Sequence, residues 1–180
     1  MRFLSILFLL GACGAVSLST LVQLSRLSPL TADPSGFVAA IVLPVEMDVP
    51  ESGATLGFVW VSDAETIGGD YPLQRHSAFD GHGIEPDAGQ QVLFFDLSKA
   101  DAAKIRQAQQ EIIARTKTGI DGEGSFSIFA APCAKGVPAA PLISTYLRIE
   151  DGGPFLPLLQ NYDFRQEVPE GLLSELAMCG

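Results

Sequence analysis

Basic residues are scarce in this chain and never clustered: eleven Lys and Arg stand against 21 Asp and Glu, for a formal net charge of −10. A surface of that sign repels phosphate backbones and anionic headgroups, so nucleic acid is excluded as a partner and electrostatic docking on lipid is disfavoured. Histidine is rarer still, with two copies in 180 residues. The sequence has no nucleophile elbow, phosphate-binding loop, zinc helix or EF-hand loop. No two cysteines have the CxxC spacing of a redox dithiol. Charged residues make up only 18% of the chain and hydrophobic ones 47%, which argues against wholesale disorder. Tryptophan occurs once against eleven Phe, so the core is expected to be rich in flat rings.

A long apolar run is also missing. Arg2 precedes a greasy stretch from Phe3 to Ala12, about half of the roughly 20 residues a spanning helix needs. Extending it to Leu24 would place Ser17, Ser19, Thr20 and Gln23 in the bilayer. One positive charge followed by a short apolar segment is the form of an export signal. Leu10-Gly11-Ala12-Cys13 then resembles a bacterial lipobox: an aliphatic residue, two small residues and the cysteine that becomes the new N-terminus. The resemblance implies that residues 1–12 are a signal peptide and that Cys13 carries a thioether-linked diacylglycerol. It further implies a lipid-anchored protein on the periplasmic face of a bacterial membrane. In such lipoproteins an Asp after the cysteine favours the inner membrane; Gly14 there points to the outer one. Cleavage after Gly14 would instead release a soluble exported domain without lipid.

The same resemblance accounts for an odd cysteine count. With Cys13 acylated, Cys133 and Cys179 remain, and an oxidising periplasm permits them to form a disulfide. That bond would tie the penultimate residue back to the strand before Cys133. In a reducing compartment both would stay free thiols.

Residues 13–36 read as the anchor cysteine followed by a short helical or linker segment. Leu18, Leu21, Leu24 and Leu27 recur at near-helical spacing, Pro29 ends the pattern, and Asp33-Pro34-Ser35-Gly36 is a turn. The expectation is a short helix docked on the body; the alternative is one lying on the membrane. Residues 37–180 read as a single β-rich domain. Strands are predicted over 37–44, 54–63, 70–79, 91–98, 124–131, 143–150 and 155–164. Pro72 and Pro157 mark the third and the last as edges. One helix is predicted over 98–119, capped by Ser98 and closed by Gly119, with a thin stripe of Ala102, Ile105, Ala108 and Ile112. The final PEGLLSELAMCG suggests a helical turn or two. The fold class is therefore mainly β: an antiparallel sandwich-like domain of about seven strands with one inserted helix, or else a single antiparallel sheet covered by that helix.

Chemistry-bearing residues concentrate in HSAFDGHG. His76, Asp80 and His82 are of the types that hold a divalent metal such as zinc, and a neutral His beside a carboxylate is a general base. Three ligands on one loop make a poorly preorganised site, so a polar surface loop is the expectation and no metal or other cofactor is assigned. Tyr146 and Arg148 form the other candidate recognition face, on an exposed side of a strand. The expected function is a membrane-anchored envelope lipoprotein acting as a binding or structural module rather than an enzyme. Its partners would be the membrane, through the lipid, and an envelope protein. The rival is a metal-dependent or acid–base enzyme centred on His76, Asp80 and His82.

Overall fold

The computed structural model describes residues 29–76, 83–136, 138, 141–163, 178 and 179. The signal segment, Cys13, the leucine-rich segment, Asp80, His82 and most of the C-terminal PEGLLSELAMCG lie outside the described residues. Nine strands form among those described: β1 (Val38–Pro44), β2 (Met47–Asp48), β3 (Ala54–Val61), β4 (Thr66–His76), β5 (Gln90–Leu97), β6 (Glu123–Ala130), β7 (Cys133–Ala134), β8 (Leu142–Arg148) and β9 (Leu156–Asp163). Seven build one antiparallel sheet in the order β6-β3-β4-β5-β1-β8-β9, and β2 pairs with β7. The chain is mainly β, and of the two arrangements the single sheet covered by one helix is the one that forms.

The sheet is curled, and β4 is the reason. Its residues Thr66–Pro72 pair with β3, while Leu73–His76 pair with β5. A strand that changes partner part-way turns a corner in the sheet. The expectation that 70–79 is an edge strand is corrected here: β4 begins at Thr66 and lies inside the sheet. Pro72 is tolerated for a local reason. The Ala131 N–H bonds the Gly53 carbonyl at 2.7 Å, which makes Gly53 and Ala131 a hydrogen-bonded pair. Alternation along β3 then turns the polar backbone groups of Thr55 toward β6. Pro72 faces Thr55 from the other side, so the position of its missing N–H points away from β3, one residue before pairing with β5 begins.

β1 is buried along its whole length. Ala39, Ile41 and Leu43 join the main core, while Val38, Ala40 and Val42 face a second cluster with Ile84 and Phe94. Burial on both faces is why VAAIVL is a continuous apolar run rather than an alternating one. Phe126 of β6 stands edge-on to both Phe37 and Phe58, with ring centroids 5.6 and 6.2 Å apart, and joins the far edge of the sheet to the start of β1.

The helix α1 (Lys99–Lys117) forms where the period changes. The Ser98 hydroxyl accepts the Asp101 N–H at 3.0 Å, capping the start. At the other end Gly119 has φ +84°, and Ile120 and Gly119 donate to Arg115 and Thr116 carbonyls, a Schellman closure. Ala102, Ile105, Ala108 and Ile112 are buried beneath it, and so is Gln109. Gln109 breaks the apolar stripe for a purpose: its Nε2 donates to the carbonyls of Pro29 (2.6 Å) and Ala32 (2.9 Å). Asp33 caps the 3₁₀ turn Pro34–Gly36 and pairs with Arg106. The chain thus enters the body along α1 at a fixed place.

Gly68 in β4 has φ +97°, and a Cβ there would fall on the Phe58 carbonyl, whereas a Cβ on Gly69 would meet open space. Gly68→Ala is therefore expected to cost roughly 2–4 kcal/mol, and Gly69→Ala less than about 0.5 kcal/mol. Urea unfolding of the two variants beside the parent checks the contrast; equal losses would remove the backbone constraint at Gly68.

Candidate functional site

Cys133 and Cys179 are bonded, with Cα atoms 5.1 Å apart and a sequence separation of 46. The bond sits in a built corner. Asp48 of β2 faces Cys133 of β7, Met178 bridges to Ala134, and the Cys179 N–H donates to the Ala134 carbonyl at 2.9 Å. The N–H groups of Lys135 and Gly136 both donate to the Glu46 carbonyl, at 2.6 and 3.1 Å.

Asp48 is the electrostatic centre of this corner. One carboxylate oxygen takes Arg75 at 2.8 Å and the other Lys135 at 2.7 Å; the Val49 N–H adds a third donor at 2.8 Å. Burial by itself pushes the carboxyl pKa up. Hydrogen bonds from Lys135 and the Val49 N–H, with the Arg75 and Lys135 charges, outweigh that and hold it below the ordinary 3.8. Each partner comes from a different segment: β2, the end of β4 and the residue after β7. No sequence motif announces this set, because its members are spread over 88 positions from Asp48 to Lys135. The only local signal was an Asp between Met47 and Val49, both buried. With its oxygens engaged by cations and backbone, Asp48 is suited to holding segments together rather than to proton transfer.

His76 ends β4 opposite Phe94 and is exposed. Asp80 and His82 lie outside the described residues, so the three are not seen together. Among the described residues no group of three or more His, Cys, Asp or Glu side chains is placed to hold a metal ion. Nor is any described helix long and apolar enough to cross a membrane. The face around Tyr146 and Arg148 is not bare, which corrects that expectation. Arg148 is buried, its guanidinium 5.6 Å from the centroid of the Phe155 ring, and Tyr146 packs against the second core cluster. Phe155 arrives from beyond the Gly152 turn, and a strand read alone gives no sign of such a cover.

Among the described residues, two apolar grooves can be traced beside the sheet. The larger, ≈ 370 Å³, is walled by Phe58, Trp60, Phe126, Ile112 and Thr116, and Leu30 lies at its side. Gly122 is packed so closely on the Trp60 indole that a Cβ would strike the ring. The smaller, ≈ 220 Å³, lies between Ile128 and Phe129 of β6 and Ile143 of β8, Leu159 and Tyr162 of β9. The two edges of the sheet differ. β9 carries Pro157, two register shifts against β8 and Asn161 at φ 50°, features that discourage further pairing. β6 has none of these. By the alternation fixed at Ala131, its residues 124, 126, 128 and 130 turn their N–H and carbonyl groups away from β3, where no described strand receives them. Phe129 on that strand is 66% exposed. Such an arrangement offers backbone hydrogen bonds and apolar contact, not acid–base chemistry.

Replacing Cys133 and Cys179 together by Ser is expected to cost up to about 4 kcal/mol, the chain-entropy value for a loop of this length; chemical denaturation measures it, and no loss would deny the bond a role in stability. Because the Asp48 carboxyl is lowered in the folded state, its contribution is fully present above 3.8 and is lost as pH falls through the lowered value. The parent should therefore lose more stability between pH 7 and acid than Asp48→Asn does, and equal slopes in urea titrations would refute the linkage. Compared with known proteins, the chain matches no family model, no curated protein and no solved structure.

Proposed function

We propose that the chain is a bacterial envelope lipoprotein, exported by residues 1–12, acylated at Cys13 and carrying a non-enzymatic binding or structural domain on the periplasmic side. The observation that carries this reading is the Cys133–Cys179 disulfide. Such bonds persist in oxidising compartments, which supports export. The bond also consumes two of the three cysteines and leaves Cys13, in its lipobox setting, as the odd one. The net charge of −10 supports a hydrophobic anchor over electrostatic attraction to lipid.

The reading as a binding or structural module is supported by what the body offers: apolar grooves and the open edge of β6, which present contact area and backbone donors and acceptors. The titratable groups with described partners serve the fold. Asp48 clamps β2 to β4 and the β7 turn, Asp101 takes part in the start of α1, and Arg115 reaches Glu65 at 2.7 Å in the turn between β3 and β4.

Intact mass of the protein from the membrane fraction, with and without reductant, tests the proposal. The expected species begins at Cys13 with a diacylglycerol adduct and gains two hydrogens on reduction. A chain that keeps Met1, or one that begins at Ala15 without lipid, would overturn the anchor. A mass unchanged by reductant would remove its main support.

A further inference from the structure

We infer that β6 is the contact strand between two copies of this chain, pairing antiparallel with itself across a two-fold axis at Ser127. This deepens the reading of the body as a binding or structural module, and rests on it. The first support is the backbone. The alternation fixed by the Ala131–Gly53 hydrogen bond directs the N–H and carbonyl groups of Gly124, Phe126, Ile128 and Ala130 away from β3. Among the described residues no strand receives them. β6 runs in unbroken register against β3 from Glu123 to Ala130, so those groups stand in one continuous row.

The second support is what β6 lacks. Proteins keep exposed edges from pairing with charges, prolines and bulges. β9, at the other edge of the sheet, carries Pro157, two register shifts against β8 and Asn161 at φ 50°. From Gly124 to Ala131 there is neither a charge nor a proline. A chain of net charge −10 thus keeps an uncharged row of donors and acceptors at one edge and blunts the other.

The third support selects the occupant. A second copy can extend this edge only with its own β6, because its β9 is blunted. Like edge on like edge is an isologous contact, which closes as a pair and does not propagate into a fibre. The register follows from using all four outward residues of each copy. Gly124 then pairs with Ala130 of the second copy and Phe126 with its Ile128, for about eight backbone hydrogen bonds. Ser127 meets Ser127 of the second copy, and Ser125 meets the exposed Phe129. Charge agrees with this register. Glu123 comes opposite Ala131, so no like charges face each other, and the acidic end at Asp121 and Glu123 lies toward the end of the other strand that leads to Lys135. The apolar groove beside Ile128 and Phe129 flanks the same edge, so apolar contact accompanies the ladder.

Cysteine cross-linking of the mature chain in the membrane fraction tests the register. Ser127 is exposed, so Ser127→Cys leaves the core untouched. In the pair, the two residues at 127 oppose each other without exchanging hydrogen bonds, with Cα atoms roughly 4.5 Å apart and within disulfide reach. The two residues at 125 lie roughly 14 Å apart, out of reach. Mild oxidation is therefore expected to shift Ser127→Cys to the dimer mass on non-reducing gels and to leave Ser125→Cys at the monomer mass. Combining Ser125→Cys with Phe129→Cys should restore the dimer. No dimer from Ser127→Cys, or as much from Ser125→Cys, would overturn the proposal. So would a cross-link from Ser127→Cys to a different protein, which would give the edge to that protein's strand. A second measurement needs no new thiol: Ser127→Lys sets like charges opposite each other, and the Phe126 and Ile128 N–H groups should exchange roughly fivefold faster in it than in the parent. Unchanged exchange would refute the pairing. The parent has no thiol on β6, so a cross-linked parent would report a free Cys13 and count against acylation, which keeps a failure of pairing and a failure of the anchor distinguishable.

Discussion

The change of partner along β4 is the constraint on which the rest of the structure depends. β4 pairs with β3 up to Pro72 and with β5 from Leu73, so it is the strand at which one part of the curled sheet passes into the other. Once the sheet turns there, side chains from β1, β3, β5 and β8 point into one space and form a single cluster, with Leu43, Leu56, Phe95 and Leu147 all buried. One sheet thereby does what two facing sheets do in a sandwich. The helix has to cover only what the curl leaves open, which is why a thin, alanine-rich stripe is enough.

The curl has a cost at the opposite face of the sheet. Bending it inward opens the outer side of β1 and β5, and Val38, Ala40, Val42 and Phe94 would stand in water. Ile84, from the connection between β4 and β5, and Phe155, from the β8–β9 turn, close over them. The buried Arg148 guanidinium lies over the Phe155 ring, 5.6 Å from its centroid, and its charge faces Asp151 at 3.7 Å. β1 is thus central in two senses: it is flanked by β5 and β8 within the sheet and covered above and below.

Features set by neighbouring residues were legible in the sequence. The helix limits followed from Ser98 and Gly119 because caps are made within one turn. β1, β3, β5, β6 and β8 followed from apolar runs or alternation, and Pro157 correctly marked β9 as an edge. The disulfide followed from counting cysteines with Cys13 set aside on its resemblance to a lipobox. Features set by distant residues were not legible. Pro72 looked like an edge marker because its tolerance depends on where β5 begins to pair, which no local pattern encodes. Asp48 gave no sign of its role because Arg75 and Lys135 are brought to it only by the fold. Arg148 read as exposed because alternation assumes a sheet wet on one side, and Phe155 removes that assumption. Of the His76, Asp80 and His82 set, His76 alone falls among the described residues.

A curled sheet whose edges do not pair must be held closed by something other than the ladder. β6 and β9 face each other across an apolar groove without joining. Closure comes instead from the short pairing of β2 with β7. β2 follows β1 and β7 follows β6, strands that stand at the fifth and first places in the sheet. Their pairing therefore fastens the middle of the sheet to its far edge. Two hydrogen-bonded residues per strand are too few to hold such a junction alone. The Asp48 carboxylate reinforces it by binding Lys135 beyond β7 and Arg75 at the end of β4, so the turning strand is fastened to the same point. The disulfide then adds Cys179 to that point, and among the described residues the curl is closed beside the outer edge of β6 rather than along it.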